Sequence, residues 1–372
     1  MRLQHCSFAL ALAFSPGLMP GQPPAASFEA VDLSAGLPLD RLAAQLATKR
    51  VVFIGENHDR YDHHLNQLEI IRRLYQLDPN LAIGVEYFPQ AAQPQIDDFI
   101  AGRTTEQEFL RASGYYANWG YDYRLYAPIF RYAREQRIPV RALNVPPELP
   151  SRVAKVGMAG LSAAERALLP KEFGPADDAY RSRLRAAFEG HKSTQPGAFD
   201  RFVGAQLVWD EGMADQAATY AMANPGRRLV VLAGSGHLAF GAGIPQRLER
   251  RTHLTYAIVL NGGDEIDRHM ADYLLLGDQQ RLPPAGVLGI SLEEKNGEGR
   301  IRSLTPSGAA AKAGLKPGDI LTDIDGQPVK NVAGMRLALW DKKPGDRVGV
   351  TVRRKRASRT LTIDLTAPGG GA

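Results

Sequence analysis

The sequence predicts an α/β fold: a mostly parallel, doubly wound sheet with a helical insertion, followed by a small β-rich domain. Three observations predict it. Short unbroken apolar runs such as Val51-Val52-Phe53-Ile54 have the pattern of strands covered on both faces. Segments with helical apolar spacing alternate with those runs, as in successive strand–helix–strand units. After Tyr273 the texture changes to short strands and tight turns.

The elements follow in order. Leu39 to Thr48 is an amphipathic helix, and Arg50 to Ile54 is the first strand. Asp62 to Leu77 is helical, with Leu65, Leu68, Ile71 and Leu74 on one face. Further strands are expected at Leu81–Val85, Ile138–Leu143, Arg228–Leu232 and Thr255–Leu260. Helices fall at Leu125–Gln136, Ser162–Leu169 and Asp200–Met222, and Ser162 with Glu165 makes a capping box. The stretch from Leu143 to Arg228 holds only helical patterns, which predicts an insertion packed over one edge of the sheet. Residues 28–276 thus form the α/β domain, 277–285 with Pro283-Pro284 a linker, and 286–367 the second domain.

Composition narrows the class. The 372 residues are 44% hydrophobic and 23% charged, which excludes a disordered chain and a fibrous repeat and favours two domains. No apolar run is long enough to span a membrane. The single cysteine, Cys6, excludes an internal disulfide framework. From Gly286 onward there are 15 Lys/Arg against 9 Asp/Glu, leaving 30 against 31 in the rest. The net charge of +5 therefore belongs to the C-terminal quarter, largely to Arg353-Arg354-Lys355-Arg356, which reads as a solvated hairpin. No nucleic-acid partner is expected. Met1-Arg2 followed by an apolar run from Cys6 to Phe14 resembles a secretory signal ending near Ala25-Ala26-Ser27, so residues 1–27 predict export to the periplasm or envelope.

The chemistry is expected where strands end. Every strand of an open parallel sheet opens onto one edge at its C-terminal end, and ligands bind there. The first strand runs into Gly55-Glu56-Asn57-His58, the second into Glu86-Tyr87, the third into Asn144, and the fourth into Gly234-Ser235-Gly236-His237. Topology alone brings two imidazoles and two carboxylates together. Such a set suits a divalent metal held by His58, Glu86 and His237, or acid–base work by Glu56, His58, Glu86 and His237. The competing reading is that both histidines only hydrogen-bond loop backbones.

These segments, together with Gly84-Val85-Glu86-Tyr87-Phe88, Leu143-Asn144-Val145-Pro146 and Asp210-Glu211-Gly212-Met213-Ala214, resemble the ChaN family, within the group that includes Tiki proteases and erythromycin esterases. The resemblance covers residues 38 to 275 and implies haem as cofactor, with a tyrosine or histidine as axial ligand. Its enzymatic relatives imply metal-dependent hydrolysis as the alternative. Candidate haem contacts are Tyr61 and Tyr87 near the edge, Asn144, and Tyr115 and Tyr116 in an aromatic cluster with Trp119, Tyr121, Tyr123 and Tyr126. His63 and His64, at the start of a helix, are expected to be solvated, and Met213 to be core. A homodimer sharing haem has no motif and stays open.

The segments Gly286-Val287-Leu288-Gly289-Ile290, Ser307-Gly308-Ala309-Ala310 and Gly314-Leu315-Lys316-Pro317-Gly318-Asp319 resemble a bacterial PDZ domain. That implies a partner's C-terminal peptide held by the backbone at Val287, Leu288, Gly289 and Ile290, with Arg336 and Leu337 tuning its choice. A scaffold that binds only through this module is the third reading.

Overall fold

The computed structural model describes residues 36–190, 195–262 and 267–369. Contacts divide the chain into Met1–Pro38 and Leu39–Ala372, and the description concerns the second unit. The expected signal segment lies outside the described residues. Among those residues, no helix is long and apolar enough to cross a membrane.

The first half runs α1 (Leu39–Leu46), β1 (Val51–Glu56), α2 (Tyr61–Leu77), β2 (Leu81–Pro89), α3 (Gln93–Ile100), α4 (Glu106–Ala112), α5 (Tyr115–Asn118), α6 (Ala127–Gln136) and β3 (Val140–Asn144). Then come α7 (Glu148–Val156), α8 (Ala163–Arg166), α9 (Asp178–Glu189), α10 (Ala198–Ala223), β4 (Arg228–Gly234), α11 (Ile244–Thr252), β5 (Tyr256–Asn261) and β6 (Tyr273–Leu275). The six strands form one parallel sheet in the order β3-β2-β4-β1-β5-β6. Both faces are covered, so neighbouring residues of a strand enter different cores: Val52 and Ile54 pack toward α2, Val51 and Phe53 toward α10. The Ser162–Glu165 capping box forms as expected, although α8 is only one turn long.

Two expectations need correction. The segment between β3 and β4 does not sit over an edge. Its long helix α10 lies on a sheet face, where Met213, Ala214, Ala217, Ala218 and Ala221 meet Leu229 and Val231. The run of small residues lets this crossover helix approach the strands closely. β2 also continues past Val85, because a register irregularity between Val85 and Pro89 keeps it paired with β3. Glu86 and Tyr87 are therefore inside a strand.

The remainder is antiparallel: β7 (Ile290–Lys295), β8 (Glu298–Leu304), α12 (Ala309–Lys312), β9 (Ile320–Ile324), β10 (Gln327–Pro328), α13 (Val332–Ala338), β11 (Arg347–Arg354) and β12 (Ala357–Asp364). The sheet order is β12-β11-β9-β8-β7, with β10 paired to β9, so β7 is an edge strand. Leu288, Ile301, Leu321, Val350 and Ile363 form its own core. Trp340, just after α13, packs edge-on against Tyr123 with ring centroids 5.8 Å apart.

Candidate functional site

The register of the sheet builds the site. β1 and β4 are parallel neighbours, and Glu56 stands opposite Gly234. β2 lies on the other side of β4. Glu86, His58 and His237 therefore come from three adjacent strands or the turns that leave them. The glycines permit the close approach. A Cβ on Gly55 would lie 2.3 Å from Leu260 Cδ2, and one on Gly234 would lie 2.9 Å from His58 Cε1.

Each imidazole is oriented by a buried carboxylate. His58 Nδ1 donates to Glu56 Oε1 at 2.5 Å, and His237 Nδ1 donates to Asp210 Oδ1 at 2.6 Å. Carboxylates accept only, so both Nδ1 atoms carry the proton and both Nε2 atoms face outward from the anchor. Those Nε2 atoms meet Glu86 Oε1 at 4.0 Å from His58 and 3.4 Å from His237. Glu86 is fixed through its other oxygen, which accepts the Gly234 N–H at 2.7 Å. Behind Asp210, the Tyr180 hydroxyl donates to Oδ2 at 2.6 Å. The result is an unbroken line of groups from Tyr180 through Asp210, His237 and Glu86 to His58 and Glu56.

Electrostatics follow from this line. Burial alone would depress His237, but the charges of Glu86 and Asp210 and the Asp210 hydrogen bond raise its pKa to about 9. Burial opposes the charge on His58 as well, yet the Glu56 hydrogen bond and the Glu86 and Glu56 charges hold it above its ordinary value. An imidazole whose Nδ1 is fixed by a carboxylate has the orientation used by ligating histidines. The same arrangement can also move a proton.

The sequence candidates divide. Glu56, His58, Glu86 and His237 are brought together, and Asn144 borders them, donating from Nδ2 to the Glu86 carbonyl at 3.0 Å. Tyr87 and Tyr115 are buried in the core, and burial pushes both hydroxyls well above their ordinary pKa, which disfavours a metal-binding phenolate. Tyr61 points elsewhere, into the cleft that also holds Arg131 and Pro283. Tyr116 faces the second domain, beneath the Arg336 guanidinium at 5.2 Å. Tyr87, though buried, lines a small pocket with Glu86, Trp119 and Asn144, its ring 6.0 Å from that of Trp119.

Several residues were missed or misjudged. His63 and His64 are buried, not solvated. His63 Nδ1 accepts the Asn57 N–H at 3.0 Å, and burial lowers its pKa to about 4. His64 rests on Gln67 and packs against Tyr126, and burial lowers its pKa too. Its Nε2 lies 3.7 Å from Glu56 Oε2, a buried oxygen that accepts no hydrogen bond. Asp210 stands in the Asp210–Ala214 segment that carries the family resemblance but has no role assigned there, and Tyr180 carries no local motif. Trp119 and Tyr121, named only as cluster members, both pack on His58 with ring centroids at 4.9 Å. Met213 is core, as expected.

Trp119 and Tyr121 offer flat aromatic surface, Tyr121 is 37% exposed, and the His58 side chain is 24% exposed with its Nε2 free of a short hydrogen bond. Among the described residues, no group of three or more His, Cys, Asp or Glu side chains is gathered closely enough to hold a metal ion.

In the second domain, Leu288 is buried, Val287 pairs with Thr366, and Gly289 turns through a left-handed φ of 72°. These residues line a groove against α13.

Comparisons agree with this division. Residues 42–248 match the family of haem-binding uptake proteins, Tiki superfamily, ChaN. Residues 286–365 match the PDZ domain. A structure of ChaN from Campylobacter jejuni, described as binding haem cofacially, superposes with a TM-score of 0.51 at 18% identity, covering 64% of this chain and 91% of that one. A chloroplastic RETICULATA-RELATED 5 protein of Arabidopsis thaliana is 26% identical over 241 residues, 59% of this chain and 32% of its own length. The serine protease Do-like HtrA of Lactobacillus helveticus is 43% identical over 65 residues, 18% of this chain and 16% of its own. The chain thus spans a third or less of these two relatives.

Proposed function

The chain belongs to the ChaN family of haem-binding uptake proteins in the Tiki superfamily, and we propose that it binds haem at the edge formed by His58, Trp119 and Tyr121. One observation carries the reading: an imidazole oriented by Glu56 is partly exposed and packs against two adjoining aromatic rings. His58 Nε2 would be the donor for iron, Trp119 and Tyr121 would supply apolar wall, and Glu56 holds the ring so that this nitrogen is turned away from it. Haem, when bound, supplies the ferric centre that this nitrogen would ligate. Glu86 and His237 adjoin His58 Nε2 and would set the charge there. The N-terminal signal-like segment supports export, and the PDZ domain supports capture of a partner's C-terminal peptide.

Haemin titration of the full chain, followed by visible absorbance with metal analysis of the same sample, tests this. A saturable Soret shift is expected, weakened by about tenfold or more in His58→Ala and less in Trp119→Ala. A Soret shift indifferent to both changes moves the site elsewhere. Absence of haem uptake with stoichiometric divalent metal, lost in His58→Ala and His237→Ala, would replace this reading with metal-dependent hydrolysis.

A further inference from the structure

The PDZ groove is not built by the PDZ segment alone. Tyr116 and Arg124 of the α/β domain form a wall of it, facing Leu288, Gly289, Arg336 and Trp340 around a cavity of about 510 Å³. Three features of that cavity point to its occupant.

The first is a pair of backbone donors. The carbonyls of Leu288 and Gly289 are used, accepting from Ala310 and Thr305 at 2.9 and 2.8 Å. Their N–H groups donate to nothing among the described residues. Consecutive free N–H groups at a left-handed glycine make a concavity for an anion. The second is Trp340. It is only 8% exposed, yet its indole N–H meets no acceptor. A buried donor of this kind is ordinarily paired, and this one lies between the groove and the adjoining cleft. The third is charge. Arg124 is neutralised by Asp122, with Nη2 to Oδ2 at 2.6 Å. Arg336 has no carboxylate partner among the described residues. Its Nη1 donates to the Gly120 carbonyl at 2.8 Å and its guanidinium covers the Tyr116 ring. The groove therefore presents one cation whose charge is uncommitted. Beside it, β7 is an edge strand able to accept an added strand.

We infer that this composite groove takes a partner protein's C-terminal peptide carrying an acidic side chain upstream of its last residue. The inference rests on the peptide reading above and adds the α/β domain to the recognition. The terminal carboxylate accepts from Leu288 and Gly289, the acidic side chain pairs with Arg336, and a peptide carbonyl accepts the Trp340 N–H. Charge-assisted pairs are the stronger ones, and a guanidinium prefers a carboxylate to the neutral carbonyl it now holds.

The test uses the full chain and short fluorescent peptides ending in valine, read by anisotropy. Glutamate is placed in turn at the second, third and fourth positions from the end, with a glutamine twin of each and an amidated form. At one position the glutamate peptide should bind about tenfold tighter than its twin. That preference should vanish in Arg336→Gln and survive in part in Arg336→Lys. Trp340→Phe should weaken peptide and twin alike. Equal binding of glutamate peptides and twins at every position overturns the acidic preference while leaving the peptide site standing. Binding indifferent to amidation, or none at all, overturns the peptide reading itself.

Discussion

His237 and Asp210 lie 27 residues apart in the chain and meet at 2.6 Å, Nδ1 to Oδ1, with Tyr180 closing the far side of the carboxylate. A helix residue buried beneath the sheet edge thereby decides which nitrogen of the imidazole is presented to the site. Asp210→Asn should keep the fold and lower the His237 pKa from about 9 toward 6.5, which NMR titration of the ring signals measures. An unchanged titration would mean that Glu86 alone holds the proton.

Stability should fall on both sides of neutrality. The folded pKa of His237 lies above the unfolded value, so its contribution is complete below about pH 6.5 and is lost as pH rises through about 9. His63 and His64 are lowered by burial, so their contribution is present above about 6.5 and is lost as pH falls below it, for His63 toward about 4. Urea unfolding from pH 4 to 10 should give a dome. His237→Gln should flatten the alkaline limb and leave the acid limb.

Gly234→Ala should cost about 1–3 kcal/mol, because the added methyl meets the His58 ring and overpacks a closed site. The backbone at Gly234 has φ −57°, so contact alone is responsible. Chemical denaturation measures the loss. Recovery in the double variant with His58→Ala would confirm its source.

Much of this was legible in residues. Apolar runs ending in Gly-x-x-His mark β1 and β4, and parallel topology then obliges their ends to adjoin. The Asp210–Ala214 segment was visible as part of the family resemblance, but the role of Asp210 was not, because a carboxylate within a long helix is placed at the edge only by the α10 crossover. His64 looked solvated because helix starts usually are, but Tyr126 folds over it. The tyrosine pattern announced aromatic density without saying which rings would face outward. Packing chose Trp119 and Tyr121, and it sent Tyr87 and Tyr115 to the core.

Peptide and haem should each alter the other's affinity. An acidic peptide that draws Arg336 from Gly120 loosens the neighbouring Trp119 and Tyr121, and haemin affinity should fall by about fivefold at saturating peptide. Arg336→Gln should abolish the change, and equal affinities in the unmodified chain would show that the segment does not yield.

The hydrogen bond from Arg336 to the Gly120 carbonyl is a small contact, but it would let the two proposed ligands share one stretch of backbone. Sharing of that kind is reciprocal: the factor by which a docked partner loosens the cargo is the factor by which cargo loosens the partner. If both ligands bind as proposed, a chain so built would act as a valve. It would surrender its load where a receiver is bound and, once empty, hold that receiver more firmly than when full.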